Sequence, residues 1–360
     1  MKTPLNPTMI TLAREFRGFS QQQLAEKVGI TQGFLSRVEK GFVEPTEEIL
    51  NKLSNGLNVK QKFFYRKGDT FTPNLYYRKK SRTSRGVLIR AEAEMNFHRL
   101  NIQELLDSVE ITTPPLPCLD ISEEGGPENA ARKLRQLWKV PNGPIKNLFQ
   151  LLEGKGIIIV PCLFESPDID GRSMYTDDGQ ALIFINRLLP MDRQRFTVCH
   201  ETVHVVCHMH SSVSDSNDTE REANRFAAEF LVPEKELRKQ IVTKLNLSVL
   251  ADLKRYWRVS MAAILYHAKL SRIILDRRYK SLIIEMGKLG MRTKEPSELN
   301  PPLEKPKVLT TLFRLHKKDL GYSDEEIAEL LSMDKEEMIN IYYEDDLLDY
   351  EGNKKLKLVI

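Results

Sequence analysis

The sequence predicts an α+β, mainly helical chain, on three observations. Between residues 5 and 60, short helical segments are broken by Gly29, Gly41 and Gly56. A β-branched run, Ile157–Val160, and a hairpin pattern at Met174–Asn186 mark a small central sheet. Most of the rest carries helical apolar spacing, interrupted by the proline-rich TTPPLP at 112–117 and by prolines within 295–306. At 360 residues the chain has room for two or three domains. The breaks suggest a first unit at 1–62, a basic, aromatic and partly helical linker at 63–114, a central unit at 115–240, and a helical C-terminal region at 241–360.

Composition excludes some classes. With 41% hydrophobic and 29% charged residues the chain can bury cores, so wholesale disorder is not expected. The net charge of +4 says little about a polyanionic partner, but its distribution says more. Residues 60–90 hold ten Lys or Arg against one acid, Asp69, which suits either a phosphate backbone or a solvated linker. The opening MKTPLNPTMI has no apolar core of signal-peptide length, and no run approaches the roughly 18 apolar residues of a membrane helix. Cys118, Cys162, Cys199 and Cys207 show no framework spacing and read as reduced thiols, so the expected location is cytoplasmic, with no membrane partner.

In the first unit, Ser20-Gln-Gln-Gln23 is a capping-box pattern that opens a helix to Val28, with Leu24, Ala25 and Val28 on one face. Gly29-Ile30 makes a tight turn, and Thr31 caps a second helix that runs through Glu39. Two short helices about a glycine turn form a helix-turn-helix, whose second helix enters the major groove of double-stranded DNA. On that helix Gln32, Ser36 and Arg37 face away from Phe34, Leu35 and Val38, so Thr31, Gln32, Ser36 and Arg37 are candidate DNA contacts. Gln22, at the start of the first helix, can reach phosphate. Gly33 cannot contact a base and weakens the helix, which points to modest base specificity. An ordinary helical hairpin has the same spacing.

The central unit carries the strongest chemical signal, His200-Glu201-Thr202-Val203-His204, on a helix expected from Met191 to about Met209. Residues four apart share one helix face, so two imidazoles can grip one ion. Glu201 then stands beside the metal and can move the proton of a metal-bound water. A catalytic zinc takes three protein ligands, and a second helix from about Thr219 to Leu231 supplies candidates. Glu220 is the assigned third ligand and Glu222 the competitor. Asn224, one turn past Glu220, is placed to accept a hydrogen bond from a ligand histidine. Cys199 falls on the buried stripe with Phe196, Val203 and Val206, and Cys207 lies close behind the motif. His208 completes a conceivable three-histidine face, although a straight helix drifts too far by the third position. His98, His210, His267 and His316 read as ordinary histidines.

Residues 9–59, including FSQQQLAEKVGITQGFLSRVEKGFVEPTEEILNKLSNGLNV, resemble the Cro/XRE repressor family of helix-turn-helix domains. That resemblance implies a five-helix DNA-binding domain, usually dimeric. Residues from about 125 to 270 resemble the ImmA/IrrE metallo-endopeptidases, in ENAARKLRQLWKVPNGPIKNLFQLLEGKGIIIV, ALIFINRLLPMDRQRFTVCHETVHVVCH and EREANRFAAEFLVP. This implies a minimal zincin fold with a small curved sheet, zinc held by His200, His204 and Glu220, and Glu201 as general base. It also implies a regulatory protease acting on a transcriptional repressor or a similar protein. Val203 stands where the family commonly has glycine. In such folds the strand Ala181–Ile185 is expected at the sheet edge, pairing with substrate, and Tyr175 is a candidate donor to the transition-state oxyanion. A regulator or antitoxin that senses metal or ligand without cleaving anything is the competing reading. WRVSMAAILYHAKL at 257–270 and the segment 321–342 look like further helix-turn-helix-like units and read as structural, lacking a basic face.

Overall fold

The computed structural model describes residues 4–70, 84–109, 113–166, 168–208, 216–242, 244–292 and 294–343. The N-terminal domain contains α1 (Pro7–Phe16), α2 (Gln21–Val28), α3 (Gln32–Glu39) and α4 (Glu47–Leu57), closed by a 3₁₀ turn at Gln61–Tyr65. The fifth helix implied by the resemblance is thus a single 3₁₀ segment. Ser20 and Gln23 form the expected capping box, and Gly29 ends α2 at φ +71°, where a side chain would be strained. A Cβ at Gly56 would lie 2.5 Å from Val28 Cγ1, so glycine is what lets α4 approach α2.

Next come α5 (Arg85–Asp107), α6 (Pro127–Leu137) and α7 (Leu148–Glu153). The sheet consists of β1 (Ile157–Cys162), β2 (Gly171–Tyr175) and β3 (Ala181–Asn186). α8 (Met191–Val203) passes into a π-helical turn, His204–His208, and is followed by α9 (Ser216–Leu231) and α10 (Glu234–Gln240). The C-terminal region holds α11 (Leu247–Trp257), α12 (Met261–Leu270), α13 (Asp276–Lys288), a 3₁₀ turn at Ser297–Leu299, α14 (Val308–Lys318), α15 (Asp324–Leu330) and α16 (Lys335–Tyr342). The chain is α+β and mainly helical. Among the described residues no helix is long and apolar enough to cross a membrane.

Strand order is β1-β3-β2, with β3 parallel to β1 and antiparallel to β2. The β2–β3 hairpin closes through Thr176 N to Gln180 O, 2.9 Å, leaving Asp177, Asp178 and Gly179 in the loop instead of a two-residue turn. The expected edge strand Ala181–Ile185 is in fact the central strand. All its residues are buried, and the apolar run ALIFI serves both faces at once. The sheet edges are β1 and β2.

Two cores lie on opposite faces of this sheet. Ile157, Ile159, Ala181, Ile183 and Ile185 join Val198, Cys199, Phe226 and Phe230 beneath the α8–α9 pair. Ile158, Val160, Leu182 and Phe184 join Met9, Leu35, Phe63, Phe97 and Leu312 on the other side. The sheet therefore separates the N-terminal domain from the histidine helix. At roughly 25 cal/mol per Å² of apolar area removed from water, such two-sided burial is what holds a three-stranded sheet this small.

Two sequence boundaries sit inside continuous packing. The helical part of the expected linker, α5, is built into the second core, where Phe97 stacks on Phe16 with ring centroids 4.2 Å apart. Tyr76, Tyr77 and most of the basic stretch lie outside the described residues. The first core likewise runs past residue 240, through Leu250, Trp257, Ile264, Leu265 and Leu282. The two C-terminal helix pairs serve packing. α11 and α12 extend the first core, and the α15–α16 pair clasps the N-terminal domain. In that clasp Glu337 pairs with Arg17, Lys60 N donates to Ser332 O at 3.0 Å, and Val59 bridges Met333.

The proline-containing segment 295–306 acts as a strap. Glu304 accepts from Leu148 N and Phe149 N at the start of α7 and pairs with the fully buried Arg195 of α8. Glu295 accepts from Met261 N and Ala262 N at the start of α12 and pairs with buried Lys254, 2.8 Å away. Each carboxylate satisfies orphan helix amides and pairs with a buried cation; losing Glu304, the carboxylate partner of Arg195, would cost about 3–5 kcal/mol, whereas Lys254 would keep its second partner, Asp192.

Candidate metal centre and DNA-reading face

α8 buries Val198, Cys199 and Val203 in the first core, and the opposite side of the helix turns His200 and His204 towards α9. Val203, in the place of a glycine, is fully buried in that core. α9 buries Ala223, Phe226, Ala227 and Phe230 on its inner face, which leaves Glu220 to meet the histidines. The two helices are close enough for the Cys199 thiol to approach Ala227 O at 3.9 Å.

Three side chains converge. His200 Nε2 and His204 Nε2 are 3.2 Å apart. Glu220 Oε2 is 3.4 Å from His200 Nε2, and Glu220 Oε1 is 3.5 Å from His204 Nε2. A tetrahedral ion with ligand bonds of about 2.0–2.1 Å has ligand–ligand edges of roughly 3.3 Å. The spacing of the two imidazole nitrogens from each other and from the facing carboxylate fits such an ion. Glu220 Oε1 is moreover buried and accepts no hydrogen bond, an orphan that an ion would satisfy. Burial by itself would raise the Glu220 carboxyl, but the two imidazoles hold it well below the usual carboxylate range. Glu222 lies elsewhere, 3.3 Å from His208 Nε2.

Glu201 is also within reach of the histidine pair, with ligand-type atoms of His200, Glu201 and His204 all within 4.8 Å of one another. Its carboxylate is buried and held from the side, where Ser173 Oγ of β2 donates to Glu201 Oε2 at 2.9 Å. Nothing local in the sequence marks Ser173. Its role depends on the pairing that sets Ser173 opposite Ile183.

The π turn brings His208 into the site. Nδ1 of His208 and Nδ1 of His204 are 2.8 Å apart, and the ring centroids 4.9 Å. A straight α-helix carries the third histidine off the face, but one π turn widens the helix and keeps it in line. Burial pushes the His208 imidazole down to about 3, assisted by the neighbouring histidines. His208 thus contacts the second histidine through the nitrogen opposite its Nε2, the position from which a ligand imidazole is usually oriented.

Two candidate residues make other hydrogen bonds. Asn224 Nδ2 donates to the main-chain carbonyl of Glu220 at 2.7 Å, a bond within its own helix. Tyr175 OH donates to Val205 O at 3.1 Å and so is committed to the main chain of the π turn rather than offered to an oxyanion. Cys199 and Cys207 are buried thiols. Burial raises both, Cys207 to about 12, as suits core residues. His267 bonds Val232 O and His316 bonds Leu312 O, while His210 lies outside the described residues.

In the N-terminal domain, Thr31 caps α3 by accepting from Phe34 N at 3.2 Å. Gln32 and Arg37 are exposed and Ser36 is half-buried, while Leu35 and Val38 are buried behind them. Gln32 Nε2 donates to Gln21 Oε1 at 2.8 Å, and Gln21 in turn donates to Glu39 at 2.7 Å. Arg14 Nε donates to the same Glu39 at 2.6 Å. This chain sets the tilt of α3 against α1 and α2. Gln22 donates to Glu26 along α2 at 3.0 Å. A Cβ on Gly33 would meet nothing within 4 Å.

Fold and site together define a helix-turn-helix protein joined to a metallopeptidase-type domain. The chain carries an IrrE N-terminal-like domain, a peptidase family, matched over residues 152–269, and a helix-turn-helix domain matched over 10–60. The first match spans α10, α11 and α12 as well as the histidine helix. Among curated relatives it is similar to the HTH-type transcriptional regulator SutR of Escherichia coli, 27% identical over 107 residues, which are 30% of this chain and 60% of that protein. It is also similar to the HTH-type transcriptional regulator Rv0474 of Mycobacterium tuberculosis, 30% identical over 67 residues, 19% of this chain and 48% of that protein. The aligned stretches thus span about half to three-fifths of those relatives.

Proposed function

We propose that this protein is a DNA-binding regulatory zinc endopeptidase that hydrolyses peptide bonds of another regulatory protein, a repressor or toxin encoded nearby. The observation that carries the reading is the convergence of His200, His204 and Glu220, with the imidazole nitrogens 3.2 Å apart, one carboxylate oxygen 3.4 Å from His200 and the other 3.5 Å from His204, and a buried acid beside them. Zinc held there supplies a water acidic enough to ionise near neutral pH.

The protein's own groups do the rest. Glu201, kept in place by Ser173, takes the water's proton on its carboxylate and later delivers it to the leaving amine. His208 orients the His204 ring through Nδ1. Among the described residues β2, which carries Ser173 next to the acid, is an edge strand of the sheet, and its outer edge pairs with an extended peptide. At the other end Gln32, Ser36 and Arg37, with Thr31 at the cap and Gln22 on α2, meet the DNA.

The second reading is a transcriptional regulator whose metal domain senses an ion without cleavage, and the names of the relatives favour it. Glu201→Gln in the full-length zinc protein separates the two. On the first reading, cleavage of the protein encoded by the adjacent gene falls by about 10²–10⁴-fold while zinc content stays near that of the wild type. Unchanged regulation by the variant, with no cleavage by either form, would establish the sensing role instead.

A further inference from the structure

A second group of metal-type donors lies on the far face of the sheet. Glu94 and His98 stand one turn apart on α5, and Cys162 ends β1. One ligand-type atom from each lies within 4.8 Å of the other two. His98 and Cys162 are 4% and 2% exposed, and the mechanism above uses none of the three. We propose that Glu94, His98 and Cys162 form a second metal site, for a borderline-soft divalent cation such as zinc.

Three features support it. The donor set of one thiolate, one imidazole and one carboxylate is of the kind that zinc accepts, with a fourth position left for water. The charges balance as well. Cys162 gives up its proton to solvent as the ion binds, and thiolate, carboxylate and neutral imidazole then cancel a 2+ ion within a region that tolerates no net charge. The imidazole also has an orienting partner. His98 Nδ1 lies 2.9 Å from Tyr342 OH, which accepts from Asn101 Nδ2 at 3.0 Å, and this leaves Nε2 as the nitrogen for an ion. Glu94 Oε1 accepts from Leu163 N at 3.1 Å, so the carboxylate is fixed to the residue that follows Cys162.

The placement gives the site a consequence. α5 packs against α1 of the DNA-binding domain through Phe97 and Phe16, β1 belongs to the sheet beneath the histidine helix, and Tyr342 belongs to α16. The ion joins α5 to β1 directly, α16 is tied to it through Tyr342 and His98, and the DNA-binding domain through the packing of Phe97 on Phe16. It is a cross-link whose occupancy alters how firmly the DNA-binding domain is held to the sheet.

Cobalt substitution of the full-length chain tests this separately from the proposed peptidase site, which contains no sulfur. With Co²⁺ the wild type should bind two ions and show a sulfur-to-cobalt charge-transfer band in the near ultraviolet. His204→Ala should lose one ion and keep the band, and Cys162→Ser should lose the band and keep the other ion. Glu94→Gln, a milder change on the less buried ligand, should keep the band but bind the ion at least about tenfold more weakly. A folded wild type with no sulfur band overturns the proposal, as does a band that survives in Cys162→Ser. Loss of the His204-dependent ion alone would sink the peptidase reading and leave this one standing.

Discussion

α3 and α8 each present a row of polar side chains from one face of a short helix, and they treat that row in opposite ways. On α3, Gln32 and Arg37 are exposed, and their side chains meet water or a neighbouring glutamine. On α8, Glu201 is buried, His200 and His204 are within 3.2 Å of each other, and partners arrive from β2, α9 and the π turn. The contrast follows from what each face must meet. DNA brings its own charges and desolvates the protein only on arrival, so a reading face waits in solvent. A metal ion must be gripped by groups already in position, so its ligands are oriented before it comes.

That difference can be broken most sharply at His204. His204→Ala should abolish zinc binding at the histidine site and any cleavage, while DNA affinity stays within about twofold, because energetic coupling is small between sites that share no partners. Metal analysis and gel-shift titration on the same preparation check both halves. A large fall in DNA binding would mean that the two faces of the sheet are coupled and that the comparison of independent faces is wrong.

His208 is the next lever. If the π turn exists to orient His204, His208→Ala should weaken zinc binding by about 10–100-fold with the fold intact. His208→Asn, which keeps one hydrogen-bonding group near that position, should recover part of the loss. Competition with a chelator measures it. Unchanged affinity in His208→Ala would reduce the third histidine to a packing residue.

On the other side of the comparison, Arg37→Ala should leave zinc untouched and weaken DNA binding. If Arg37 meets phosphate, the loss is about the same on every sequence and the salt slope falls by about one. If it reads a base edge, the loss is about 1–3 kcal/mol on the preferred site and little elsewhere. Binding isotherms at several salt concentrations on specific and random duplexes distinguish the two.

The sequence revealed most where function is local. The spacing of His200 and His204 fixes their shared face on any helix, and Glu220 is legible because a second amphipathic helix with Phe226 and Phe230 on its inner side must turn that carboxylate outward. What stayed hidden depends on pairings that no local pattern encodes. Ser173 reaches Glu201 only through the β2–β3 register, and Ala181–Ile185 becomes a central strand only because β1, some twenty residues earlier, pairs with it in parallel. The sequence did carry a trace of that, since a strand with one face in solvent alternates and ALIFI does not. His208 was hidden for another reason. A straight helix carries its third histidine off the face, and the π turn at 204–208 keeps His208 in line through a change of helical pitch that no local pattern encodes.

The smallest effect is expected at Gly33, and it tests how closely α3 rides in the groove. Glycine near the start of a helix forfeits up to about 1 kcal/mol relative to alanine. A Cβ there meets no protein atom within 4 Å. Gly33→Ala should therefore stabilise the N-terminal domain slightly, raising its thermal midpoint by a few degrees at most. If the helix reads DNA chiefly through Gln32, Ser36 and Arg37, the added methyl group should change affinity by less than about fourfold, since a single methylene is worth about 0.8 kcal/mol. A fall of tenfold or more with the higher midpoint retained would mean that the backbone at Gly33 lies against the bases. The glycine would then be a requirement of close approach, and the exposed face of α3 would be as closely fitted to its ligand as the buried face of α8 is to an ion.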